Sequence, residues 1–175
     1  PSVIKAFESL PAEWKNIDVL VNNAGNAHGM SAIQDGVVAD WDAMMASNVT
    51  GLLYVSKEVI KGMVERKSGH IVNLSSIAGK QTYPNGNVYC ASKAAVEALS
   101  AGMRQDLNPF GIKVSNVAPG AVNTEFSEVR FKGDQAKADA VYAGFEPLVA
   151  EDVAELIRYI VLAPAHVYIA DVTIL

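Results

Sequence analysis

Three short apolar runs, IDVLVNN (17–23), GHIVNLSS (69–76) and GIKVSNVAPG (111–120), each end in polar or small residues and give way to a segment of a different period. The runs are β-branched and bounded by polar residues, which predicts strands buried on both faces. Between the first two, ADWDAMMASNVTGLLYVSKEVIKGMVERK repeats its apolar positions every three or four residues, which predicts one long helix with Asp40 as a cap near its start. A second helix is predicted over 87–107, ended by Asn108, Pro109 and Gly111, and a third over 150–162. HVYIADVTIL (166–175) has strand character. Strands alternating with helices in this way predict an α/β fold, a doubly wound parallel sheet. Such sheets bind ligands at the carboxyl ends of their strands, and the polar and glycine residues gather there, at 22–25, 75–76 and 119–124. The stretch 124–146 is too long for a plain connector and is expected to be a substrate loop region.

Half of the 175 residues are hydrophobic and 19% are charged, a balance that suits a sheet covered on both faces. The net charge of −5 arises from 19 acids against 14 bases with no block of one sign, which argues against a nucleic-acid face and against a membrane anchor. The single cysteine, Cys90, has no partner for an intrachain disulfide, so a reducing cytoplasm is the expected setting. His28, His70 and His166 are scattered without ligand spacing, and no catalytic metal is expected.

The segment NVYCASKAAVEALS (87–100) sets Tyr89 and Lys93 four positions apart on one helix face. By itself such a pair is more simply a core aromatic and a solvated amine. A phenol ionises near pH 10, and lowering that by ~3 units takes ~4 kcal/mol. An ammonium about 4 Å away supplies ~4 kcal/mol at an effective dielectric near 20, so the pair is workable as an acid/base device. Ser76 ends the preceding strand, thirteen positions earlier, where its hydroxyl would hold a substrate oxygen while Tyr89 exchanges a proton with it.

Together NNAG (22–25), SNVTG around Asn48, IVNLSSIAG, YCASK and NVAPGAVNT resemble the short-chain dehydrogenase/reductase family in order and spacing. The resemblance implies that Tyr89 is the catalytic acid/base, that Lys93 lowers its pKa and binds the nicotinamide ribose, and that Ser76 rather than Ser75 positions the reacting oxygen. It implies that Asn48 anchors a water in the proton relay and shapes its helix locally. It also implies that Asn22, Ala24 and Gly25 lie against the cofactor and that Pro119, Gly120 and Thr124 cover its nicotinamide end. A finer resemblance, to the branch of NADP-dependent dehydrogenases of serine and related 3-hydroxy acids, implies NADP as cofactor, with NAD possible, and hydride transfer from a small hydroxy acid. Arg130 and Lys132 are candidate partners for that substrate's carboxylate. The family also implies a homotetramer joined through the two long helices.

The family's glycine-rich phosphate turn has no counterpart here, since GNAHG (25–29) follows the wrong strand and lacks the spacing. PSVIKAFESL then reads as the tail of a helix. The expectation is a single dinucleotide-binding-type domain over 1–175, incomplete at its N-terminus and lacking its first βαβ part. Two rival functions stay open: a broad-specificity carbonyl reductase, and a non-catalytic dinucleotide-sensing protein on the same fold.

Overall fold

The computed structural model describes residues 2–175. Four parallel strands, β1 (Val19–Asn22), β2 (Gly69–Leu74), β3 (Ile112–Pro119) and β4 (Asp171–Ile174), lie side by side in chain order. Ahead of β1 comes helix α1 (Ser2–Glu8). Between β1 and β2 the chain forms α2 (Val38–Met45), a π-helical turn (Ala46–Gly51) and α3 (Leu52–Arg66). The β2–β3 crossover carries α4 (Ile77–Lys80) and the 21-residue α5 (Asn87–Leu107). The β3–β4 crossover carries α6 (Phe126–Arg130), α7 (Gln135–Ala140) and α8 (Ala150–Leu162).

Side chains alternate across each strand, so a run that is apolar throughout needs cover on both sides. On one side Ile71 and Val114 pack with Val59 and Met63 of α3 and Leu107 of α5. On the other, Val72, Leu74 and Val117 pack with Ile160 of α8. Helices on both faces of an all-parallel sheet make this the expected doubly wound α/β architecture. Among the described residues, no helix is long and apolar enough to cross a membrane.

Four local readings are corrected. The helix expected without interruption from Ala39 to Lys67 is broken by the π-helical turn, which contains Asn48. Asp40 does not cap α2: the cap position is Val37, and the Asp40 carboxylate instead meets Lys132 Nζ at 2.9 Å. The final strand is only four residues long, because the chain ahead of it is held to β3 by side chains rather than by a full backbone ladder. Lys113 Nζ donates to Val167 O (2.7 Å), Ser115 Oγ to Ile169 O (2.6 Å), and Tyr168 Oη accepts from Val114 N (2.7 Å). The region 124–146 is not irregular throughout, since it contains α6 and α7.

Candidate active site

The carboxyl ends of β1, β2 and β3 open into a cleft of about 870 Å³. Asn23, Gly25, Ser76, Tyr89, Lys93 and Thr124 are among its walls, as are Pro119 and Gly120. Ser76 follows β2 directly, and its hydroxyl accepts from Ala78 N (3.1 Å), which caps α4 and aims the side chain. The same hydroxyl donates to Pro119 O at 3.4 Å, and it is near enough to the Tyr89 phenol to favour its ionised form. Ser75 has a different job: its hydroxyl donates to Lys93 O at 3.2 Å. Of the two serines, Ser76 is the one beside the phenol.

Tyr89 and Lys93 both occupy the first half of α5, and both are buried. Lys93 Nζ donates to Leu74 O (2.9 Å) at the end of β2 and lies 6.0 Å from the Tyr89 ring centre. An ammonium carries three donors, so this bond leaves two for a ligand in the cleft. Burial works against the acidity expected of the phenol. Burial pushes Tyr89 up to about 12, against the hydrogen bond from Ser76 and the charge of Arg130, which pull it down. Burial also pulls Lys93 down to about 8.

Both shifts come first from burial, which disfavours the charged form of each group. Two cations stand near the phenol: Lys93, and Arg130, whose guanidinium carbon sits 5.5 Å from the Tyr89 ring centre and whose charge is among the influences that pull the phenol down.

Arg130, on α6, is buried, with Nε donating to Gly29 O (3.2 Å) and its carbonyl accepting from Gly29 N (2.9 Å). Its Nη2 is buried without a hydrogen-bond partner among the described residues. Arg130 lines a small pocket beside Tyr89 rather than the main cleft, and a buried guanidinium donor left open there is suited to an anionic group. Lys132 does not join it, because its ion pair with Asp40 holds it at the surface.

Asn48 projects from the π-helical turn and is fully buried. Its Oδ1 accepts from Asn26 N (2.8 Å), while Nδ2 donates to Asn26 O (2.8 Å) and Ser92 Oγ (3.0 Å). With both amide protons engaged, the side chain clamps the loop after β1 to α5 and has no donor left for a relay water. A Cβ on Gly25 would stand 3.1 Å from Asn48 Oδ1 and 3.3 Å from Lys93 Nζ, so a glycine keeps that loop close to both.

Asn22 is also corrected. Its amide donates to Ser56 Oγ (2.9 Å) and Asn73 Oδ1 (2.8 Å), tying β1 to α3 and β2 beneath the site. Neither Asn22 nor Ala24 lines the cleft, whereas Asn23 and Gly25 do. Sequence reasoning missed Asn26, Ser92 and Tyr83. The only cue to them was the density of small polar residues near strand ends and at the start of 87–107.

The nicotinamide end of a dinucleotide fits the residues present: Lys93 offers open donors on the floor of the cleft, and Asn26 Oδ1 is a buried acceptor without a partner among the described residues. Cleft, hydroxyl pair and buried lysine at the strand ends define a dinucleotide-dependent oxidoreductase. The sequence profile of short chain dehydrogenases matches residues 1–135, and the chain belongs to that family.

The chain is 49% identical over 169 residues to the NADP-dependent 3-hydroxy acid dehydrogenase YdfG of Escherichia coli, spanning 96% of this chain and 68% of that protein. It is 45% identical to sulfoacetaldehyde reductase 2 of Chromohalobacter salexigens, over 95% of this chain and 66% of that protein. Among solved structures it is similar to the closed form of serine dehydrogenase complexed with NADP+, with a TM-score of 0.96 at 46% identity, covering 98% of this chain and 70% of the other. The crystal structure of serine dehydrogenase from Escherichia coli aligns with a TM-score of 0.82 at 39% identity, over 97% and 68%.

Proposed function

We propose that this protein is an NADP-dependent oxidoreductase that moves a hydride between the nicotinamide and the hydroxyl-bearing carbon of a small 3-hydroxy acid such as serine. The observation that carries the reading is the open Nη2 of buried Arg130 beside Tyr89, next to the Tyr89–Ser76 hydroxyl pair. Ser76 and Tyr89 hold the substrate oxygen, and Tyr89 takes its proton in oxidation and returns it in reduction. Arg130 receives the substrate's carboxylate. Lys93, Asn23, Gly25, Pro119, Gly120 and Thr124 hold the cofactor, and Asn48 positions the loop that carries Gly25. Bound NADP+ is the hydride acceptor. Each ribose oxygen that accepts from Lys93 Nζ favours the charged lysine, and a charged lysine keeps the phenol within reach of ionisation.

The relatives support an anionic substrate, since one is named for a 3-hydroxy acid and another for a sulfonated aldehyde. We also propose that residues 1–175 act as a single dinucleotide-binding-type unit and that 124–146 is its substrate loop, contributing Arg130. Pairing of α3 and α5 in a homotetramer is supported by Leu53 and Tyr54, which leave α3 exposed at 38% and 53%. Cys90, buried and unpaired, suits the reducing cytoplasm.

The test is NADP+ reduction by the full-length polypeptide with L-serine and with serinol, in which an alcohol replaces the carboxylate. The expected kcat/KM favours serine by at least tenfold, and Arg130→Ala removes that preference. Equal kcat/KM for the two substrates would refute the acid-specific reading and leave the broad carbonyl reductase.

A further inference from the structure

Arg130 is long and flexible, yet its charged end lies buried and partly unpartnered, so something must hold it there. Lost rotamer freedom for an arginine side chain costs up to ~2 kcal/mol, and one hydrogen bond from Nε to Gly29 O at 3.2 Å is a single tether. The remaining restraint comes from aromatic side chains, with the Tyr83 hydroxyl as well as its ring near the guanidinium. The guanidinium carbon lies 5.5 Å from the ring centre of Tyr83, 5.5 Å from that of Tyr89 and 5.9 Å from that of Phe131. Tyr89 is committed to the reaction, and Phe131 adjoins Arg130 in sequence and moves with it. Tyr83 alone comes from a separate segment, the turn between α4 and α5, and has no assigned role.

The turn is shaped to keep that ring in place. Gly86 has φ −98° and ψ 10°, a conformation open to any residue, so backbone freedom does not explain the glycine. Space does: a Cβ on Gly86 would lie 2.2 Å from Tyr83 Cε2 and 2.5 Å from its Cζ. The ring therefore lies directly on the Gly86 backbone, and Gly86 N donates to Tyr83 O at 3.2 Å. A small pocket of about 20 Å³, walled by Arg130, Tyr89, Asn85 and Asn87 and also by Asp40, adjoins this stack. That is room for about one water.

We infer that Tyr83 is a positioning residue for acid recognition: seated on Gly86, its ring holds the Arg130 guanidinium beside Tyr89 with one donor pair free for the substrate's carboxylate. The inference rests on the reading of Arg130 as the carboxylate partner. Stacking of a buried guanidinium on an aromatic face is worth enough to change an affinity by about tenfold. Tyr83→Leu removes the face, Tyr83→Phe keeps it, and Gly86→Ala pushes it away without touching the ring chemically.

The experiment compares these variants and Arg130→Ala with the parent in serine oxidation by the full-length polypeptide, with NADPH affinity followed by fluorescence. Tyr83→Leu is expected to raise KM for serine about tenfold while kcat and NADPH affinity stay within about twofold. Gly86→Ala should reproduce that split, and Tyr83→Phe should restore the parent's KM. Should Arg130→Ala raise KM while Tyr83→Leu and Gly86→Ala leave it unchanged, Tyr83 does not position the guanidinium. A joint fall in kcat and NADPH affinity would equally overturn the inference, as the sign of a general structural role. An unchanged KM in Arg130→Ala would instead remove the carboxylate reading itself.

Discussion

Replacing Lys93 with methionine should change how stability depends on pH, in a direction and amount that the burial of this side chain dictates. Lys93 falls from its ordinary 10.5 to about 8 because the folded protein removes its ammonium from water. At 1.36 kcal/mol for each tenfold change in proton affinity, the difference between those values is about 3 kcal/mol. Below pH 8 the lysine is charged in both folded and unfolded chains, and the whole cost of burying it weighs against folding. Between about 8 and 10.5 the folded chain has lost the proton while the unfolded chain still binds it, so stability rises with pH. Above 10.5 both forms are neutral and the cost is gone. Tyr89 acts in the opposite sense, because its raised value takes stability away only as pH climbs from 10 toward 12, and it does so in parent and variant alike.

Urea unfolding of parent and Lys93→Met at pH 7 and pH 10 isolates the effect, since constant contributions cancel in the double difference. Among these is the lost bond to Leu74 O. The parent should gain about 2 to 3 kcal/mol relative to the variant between the two pH values. Parallel pH profiles would show that Lys93 keeps an ordinary proton affinity in the fold, and the burial cost assigned to it would be wrong.

Two further substitutions test the frame around the site. A Cβ at Gly79 would stand 2.7 Å from Lys93 O and 2.8 Å from Ser75 Oγ, so Gly79→Ala should lower stability by about 1–3 kcal/mol, and a Tm at or above the parent's would contradict that packing. Asn48→Ala should strip the partners from both backbone groups of Asn26 at a cost of about 2–4 kcal/mol, and the Asn26 amide should then exchange with solvent much faster. An unchanged exchange rate at Asn26 would exclude Asn48 as the clamp on the loop after β1.

How much of this could be read in advance differs from element to element. The helix at 87–107 coincides with α5, and that at 150–162 with α8, because strong 3.6-residue periodicity and clear end signals both reported on burial. The choice of Ser76 over Ser75 rested on family register, and the side chains follow it, one beside the phenol and the other on Lys93 O. The π-helical turn could not be read from the apolar spacing of 39–67, and only the family resemblance pointed to Asn48 as a residue that shapes its helix. Tyr83 could not be found from its neighbours in sequence, since its partner Arg130 is 47 positions away and meets it through the folded substrate loop. Burial, which raises the phenol of Tyr89 and lowers Lys93 together, could not be weighed from the sequence, where only the four-residue spacing of the pair is visible.

The central claim is that the phenol of Tyr89 exchanges a proton with a substrate oxygen held by Ser76. Steady-state turnover of serine and NADP+ by Tyr89→Phe, alongside its affinity for NADPH, addresses it most directly. Phenylalanine preserves the ring against Phe126, whose centre is 5.6 Å away, and removes only the hydroxyl. A fall in kcat of at least 10²-fold with NADPH affinity unchanged is the expected result. Turnover equal to the parent's would contradict the account.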